Sequence, residues 1–199
     1  MEKVDRRVRR THRLLREALI SLSMEYGYDA VSIKAITDRA DVAYVTFFRH
    51  FRDKDDLLNQ MLSEIVNEVE NAARTSDLFT EGVYIFQQVQ SNADLYRILI
   101  TQPGTNRVLQ QLKQKLVNHL RKHCMPLFQP GAPLPPELAL HYSVMSLIAL
   151  VEWWLEHDLC YSPEQMSRYY QHLITSALKG GAPVLMTIPN DSAPDKRNA

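Results

Sequence analysis

Seven basic residues crowd the first sixteen positions: Lys3, Arg6, Arg7, Arg9, Arg10, Arg13 and Arg16, against Glu2 and Asp5. Cations at this density hold a polyanion or form a solvated tail. Elsewhere the balance reverses. Residues 57–199 carry 11 Lys or Arg and 13 Asp or Glu, and the chain as a whole has no net charge. Any attraction for an anion is therefore local to the N-terminal end. A second constellation is His119 and His123, four apart with Cys124 beside them, a spacing that sets two metal ligands on one helical face. No carboxylate or further cysteine stands nearby in sequence, and Lys113, Lys115, Arg121 and Lys122 surround the pair. A solvent-facing pair is expected, and no metal. Cys124 and Cys160 are too few for a disulfide framework and are expected as small buried hydrophobes. There is no glycine-rich phosphate loop, no His-Glu-x-x-His and no nucleophile elbow. Neither an enzyme nor a cofactor is expected.

The elements that position these residues are helices. Of 199 residues, 45% are hydrophobic and 23% charged, the balance of a soluble globular chain. Apolar residues recur at helical spacing almost throughout, and no polar–apolar alternation marks a strand. A first helix is expected over residues 8–26, buried through Leu15, Ala18, Leu19, Leu22 and Tyr26 and closed by Gly27. Ser32 caps a short helix over 33–40. Asp41-Val42 makes a tight connection to another over 43–50, buried through Phe47 and Phe51. Asp53 caps a long fourth helix. Two short helices joined by a tight turn and propped on longer ones form a helix-turn-helix, whose second short helix enters the DNA major groove. Further helices are expected over 80–91, 93–101, 106–124, 136–158 and 163–179. They are joined by a turn at Gln102-Pro103-Gly104, a proline-rich loop over 126–136, and a capping box from Ser162 to Gln165. Residues 180–199 read as a flexible tail. The most apolar run, 138–151, is too short to span a membrane, and the N-terminus has no signal sequence, so a cytoplasmic protein is expected.

From Thr11 to Leu58 the residues become specific: THRLLREALISLSMEYGYDAVSIKAITDRADVAYVTFFRHFRDKDDLL. The stretch resembles the DNA-binding domain of the TetR family of transcriptional regulators. The matching blocks are Tyr-Gly-Tyr, Ser-Ile-x-x-Ile, Ala-Asp-Val, Thr-Phe-Phe-Arg-His-Phe and Lys-Asp-Asp-Leu-Leu, spaced without gaps. The resemblance implies an all-α fold: a three-helix helix-turn-helix domain (8–54), then a helical ligand-binding and dimerisation domain (55–179). It implies DNA contacts from Ser32, Lys34, Tyr44, Val45, Thr46, Phe48, Arg49, His50 and Lys54. Ser32, His50 and Lys54 would meet phosphate. Thr46 would hydrogen-bond to a base, and Val45 would touch a thymine methyl. Arg6, Arg7, Arg9 and Arg10 form a basic arm. Three positions depart from the family pattern. Asp41 stands where Gly is usual, Ala43 where Ser caps the recognition helix, and Phe48 where a Tyr hydroxyl meets phosphate.

The same resemblance implies a homodimer through the last two long helices, a palindromic double-stranded DNA operator, and release by a hydrophobic small-molecule inducer. The helix over 136–158 is apolar nearly all round, so every face of it must be covered. Tyr84, Phe86, Tyr96, Leu99, Tyr142 and Trp153, with Phe79, are the candidate aromatic and apolar wall of a ligand pocket, against the alternative of ordinary core. Glu152 is a candidate partner for a cationic ligand or for a basic residue across a subunit interface. Two functions stay open: a DNA-binding regulator, expected to be a repressor, and a co-regulator of the same fold that has lost DNA binding and acts through a protein partner.

Overall fold

A computed structural model describes residues 6–73, 78–124 and 134–178. They form α1 (Arg6–Tyr26), α2 (Ile33–Arg39), α3 (Tyr44–Phe48), α4 (Lys54–Ala73), α5 (Leu78–Ser91), α6 (Ala93–Thr101), α7 (Asn106–Cys124), α8 (Pro136–Glu156) and α9 (Pro163–Leu178). Short 3-10 turns lie at Tyr28–Ala30 and Pro103–Thr105, and no strand occurs among the described residues. The chain is all-α. The expected tail, and most of the proline-rich join before α8, fall outside the described residues.

Local chemistry explains the first half. Gly27 at φ 82° redirects the chain after α1. Ser32 Oγ accepts the Ala35 N–H at 3.1 Å and starts α2. Val42 N–H donates to the Thr37 carbonyl at 3.0 Å, which fixes the turn. Asp41 adopts φ 51° there, a left-handed conformation that costs a non-glycine residue roughly 1 kcal/mol. Ala43 gives α3 no side-chain cap. Asp53 Oδ1 accepts the Asp56 N–H at 2.7 Å and starts α4. One expected core residue is exposed: Tyr26 ends α1 and faces solvent, because the turn at Gly27 carries the chain away. Tyr28 fills the core in its place.

The head formed by α1–α3 is not an island. Leu15, Leu19, Ile36, Phe47 and Phe51 share one continuous core with Leu57 and Leu62 of α4, Leu95, Ile98 and Leu99 of α6, and Leu109 and Leu112 of α7. Arg16 of α1 pairs with Glu64 of α4. A second core joins Phe86 and Val89 of α5 to Leu147, Val151 and Trp154 of α8 and Met166 of α9. α9 starts with the expected capping box: Ser162 N–H donates to Gln165 Oε1, and Gln165 N–H donates to Ser162 Oγ. α8 is longer than the apolar run read from sequence. It is 21 residues long, and an 18-residue window within it reaches a mean hydropathy of 1.4, enough by length and composition to cross a membrane. It is amphipathic in context, however. Leu140, Val144, Leu147 and Val151 lie on one face and are buried, while Leu138, Tyr142, Met145 and Trp153 face outward.

Candidate DNA interface and buried cavity

α3 divides its side chains sharply. Phe47 is fully buried, locking the helix to the head, while Tyr44 is 51% and Val45 65% exposed on the opposite face. Phe48 is exposed beside Tyr44, with ring centroids 5.2 Å apart. Arg49 is also exposed, and Thr46 is half-buried. Ser32 and Lys34 lie exposed at the start of α2, and the Lys34 ammonium rests on Asp38 at 2.8 Å. Such an exposed i,i+4 pair holds weakly, so a stronger anion can take the lysine.

One expected phosphate contact, Lys54, is otherwise engaged. The Lys54 ammonium donates to the carbonyls of Tyr28 at 2.6 Å, Val31 at 3.0 Å and Asp29 at 3.3 Å, and lies 4.5 Å from the centre of the Tyr28 ring. It ties the start of α4 to the turn after α1. The Tyr28 hydroxyl donates to Asp55 at 2.7 Å. The His50 ring meets His12 of α1 edge-on at 4.9 Å. Burial first, and then the neighbouring His50 and Arg16, push the His12 imidazole below its ordinary value.

The basic arm is not separate from the first helix. α1 begins at Arg6, so Arg6, Arg7, Arg9 and Arg10 ride on its first turns. No acidic residue occupies that first turn. Cations gathered at the positive end of a helix dipole oppose the helix, an arrangement that an anionic partner relieves. Farther along, Arg39 forks onto Glu25 at 2.8 and 2.9 Å, and this hydrogen-bonded pairing holds the Glu25 carboxyl down at about 2.

The C-terminal helices enclose a cavity of about 550 Å³ walled by α4–α9, within the usual range for a small-molecule site. Tyr96 and Leu99 line it as expected, with Val89, Leu116, Val144 and Tyr170. Burial raises the Tyr96 hydroxyl to about 12. The other pocket candidates do not reach the wall. Phe86 is packed edge-on against Trp154 at 5.6 Å in the core, and Tyr84 lies off the lining. Tyr142, Glu152 and Trp153 occupy the outward face of α8, about half a turn from its cavity-facing residues. Trp153 instead stacks on His157 at 4.0 Å. The side chains of Phe79, His123 and Cys124 lie outside the described part. Cys160 is exposed rather than buried.

His119 is the largest correction. It is 5% exposed and lines the cavity. Glu81 of α5 lies 3.0 Å from its Nε2 and Glu70 of α4 lies 3.3 Å from its Nδ1. The Glu81 hydrogen bond, outweighing burial and helped by Glu70, raises the imidazole above its ordinary value. With a carboxylate at each ring nitrogen, the doubly protonated ring satisfies both. The two acids sit on opposite nitrogens, so no single metal centre faces all three groups.

α6 adds a polar link between the cavity helices and the head. Gln102, at the end of α6, accepts the Tyr28 N–H on Oε1 at 2.5 Å and donates from Nε2 to the Ser23 carbonyl at 3.2 Å. Beside it, a side chain at Gly104 would collide with Asp29.

An exposed recognition helix beside a basic first helix, mounted on a helical body with its own cavity, defines a two-part helix-turn-helix protein. A family profile described as "Bacterial regulatory proteins, tetR family" matches residues 15–61, and one described as "Transcriptional regulator C-terminal region" matches residues 77–176, half of the chain. The chain belongs to the TetR family of transcriptional regulators. Among relatives, it is 27% identical over 129 residues to the uncharacterized HTH-type regulator YvkB of Bacillus subtilis (strain 168), covering 57% of this chain and 68% of that one. It is 22% identical over 178 residues to the uncharacterized HTH-type regulator YxbF of the same strain; the match takes in 85% of this chain but only 46% of that protein's length. In fold it is similar to a TetR-family regulator from Syntrophomonas wolfei (TM-score 0.68, 17% identity, 89% of this chain and 99% of that one). It is also similar to Bacillus subtilis FadR in complex with stearoyl-CoA (TM-score 0.61, 17% identity, 83% and 98%).

Proposed function

We propose that this regulator is a cytoplasmic homodimeric repressor that holds a palindromic operator and releases it when a small apolar molecule enters the cavity. The observation that carries the reading is the split of α3: one face locked in the core through Phe47, the other presenting Tyr44 and Val45 to a groove. The DNA contacts come from Ser32, Lys34, Tyr44, Val45, Thr46, Phe48, Arg49 and His50, with residues 8–54 as the DNA-binding domain. Lys54 acts on DNA indirectly, by holding the turn that orients α2. Residues 55–179 hold the ligand and form the dimer. The outward face of α8, with Leu138, Tyr142, Met145 and Trp153, and Tyr169 of α9, supplies an apolar dimer surface. A two-fold dimer presents two α3 helices to two half-sites.

The placement of α6 supports a route for release. α6 lends Tyr96, Leu99 and Ile100 to the cavity, and its last turn grips the head through Gln102. A ligand that binds better to one setting of α6 shifts the head, and differential affinity of a few kcal/mol suffices to switch occupancy. The long acyl chain of the stearoyl-CoA bound by FadR supports an effector with an elongated apolar part.

Fluorescence anisotropy with a duplex pool at 50 and 200 mM salt tests DNA binding. A repressor that neutralises six to ten phosphates loses about 10³–10⁵ in affinity over that range. Absence of salt-sensitive binding would favour the co-regulator reading, to which Asp41, Ala43 and Phe48 would then contribute.

A further inference from the structure

We propose that the cavity selects amphiphilic organic cations, holding a protonated amine on Glu70 and Glu81 while the apolar body fills the chamber. The inference rests on the reading of the cavity as the effector site and adds the charge of the ligand. Three observations carry it. First, among the described residues Glu70, Glu81 and His119 are the charged or readily charged groups of the wall, and neither Lys nor Arg lines it. Two carboxylates around one imidazolium leave a net negative charge. Second, Glu81 is only 9% exposed, and His119 engages one oxygen, Oε1, of each carboxylate. The Oε2 atoms take no hydrogen bond among the described residues. Third, the rest of the described wall is overwhelmingly apolar, so the charge of the buried Glu81 is weakly screened, while Glu70, with its side chain 40% exposed, stands at the solvent side.

The wall discriminates by sign. An ammonium group leaving water needs a carboxylate to offset its desolvation, and Glu81 and Glu70 supply two. A carboxylate of the same chain length meets two like charges and only one imidazolium, whose nitrogens are already engaged. Tyr96, Tyr170, Gln88, Gln171 and Ser143, the other polar groups of the wall among the described residues, carry no charge that would reverse this.

The test is titration calorimetry of the full chain at neutral pH with dodecylammonium and dodecanoate below their micellar concentrations and dodecanol below its solubility limit. We expect dodecylammonium to bind at least about tenfold tighter than dodecanoate, with dodecanol between them. A Glu70→Gln/Glu81→Gln protein should lose that preference and keep its affinity for dodecanol. Dodecanoate binding as tightly as dodecylammonium would overturn the inference and leave the effector cavity standing. So would a cation preference that survives the double substitution. Binding of none of the three would overturn both. Should the double variant fail to fold, the wild-type comparison of cation with anion decides alone.

Discussion

Arg9, Arg10 and Arg49 stand in solvent on the head, whereas Glu81 and His119 are buried in the wall of a cavity. The two regions hold charge in opposite ways. In the head, exposed cations act over a distance and are screened by salt, which suits a long polyanion met at a surface. In the cavity, a few charges in apolar surroundings act at contact, which suits a choice among small molecules. The histidines show the same contrast. His12 of α1, packed against His50 and Phe51, is held below its ordinary value by burial first, with Nε2 lacking a hydrogen-bond partner among the described residues. His119 is held above its ordinary value by two acids. Burial alone does not set a histidine's charge; the partner does.

The contrast breaks most completely if the head loses its anchor. Phe47→Ala should cost about 3–5 kcal/mol and abolish DNA binding. Denaturant unfolding followed by anisotropy checks both, and retained operator affinity would show that α3 is held by something other than this ring. Gln102→Ala tests whether the two regions communicate. Ligand affinity and basal DNA affinity should persist, while ligand-driven release weakens by about 0.5–2 kcal/mol of coupling. Unchanged release would place the coupling elsewhere in the shared core. An Arg9→Ala/Arg10→Ala protein should lower the salt slope of DNA binding by about 2, with a slight rise in Tm because two cations leave the wrong end of the α1 dipole. An unaltered slope would remove these arginines from the interface.

The smallest effect is the pH profile of stability. The raised His119 contributes stability that is fully present below its ordinary value near 6.5 and fades as pH rises through its folded-state value. The lowered His12 works the other way: stability falls as pH drops below about 6.5, because the unfolded chain takes the proton more readily. His119→Gln should therefore flatten the decline on the alkaline side, and His12→Gln the decline on the acid side. Chemical denaturation across pH 5–8 reads both.

The head was legible because its signals are local. Ser32, Asp53 and Gly27 act within four residues of themselves, and Phe47 and Phe51 mark a buried face one turn apart. The exposed residues of α3 follow once the turn is placed. Tyr26 escaped because helical spacing does not reveal which way the chain turns after Gly27, and that turn puts Tyr28 rather than Tyr26 in the core. The cavity was less legible. Glu70, Glu81 and His119 lie on three helices, separated by 49 and 38 residues along the chain, and local sequence around His119 shows only basic neighbours. α8 is apolar on nearly every face, so its pattern could not say whether Tyr142 and Trp153 point inward or outward. Lys54 was legible as a cation but not as one engaged by three carbonyls, since that depends on how the turn at Tyr28 folds back onto α4.

Selection from a random duplex pool with the purified protein at moderate salt, repeated with Lys34→Ala/Tyr44→Ala, tests the central claim most directly. The account predicts a recovered palindrome whose half-sites lie about one helical turn or a multiple apart, lost in the double variant. Weak, sequence-independent binding by the wild-type protein, or a palindrome that the double variant recovers equally well, would contradict it.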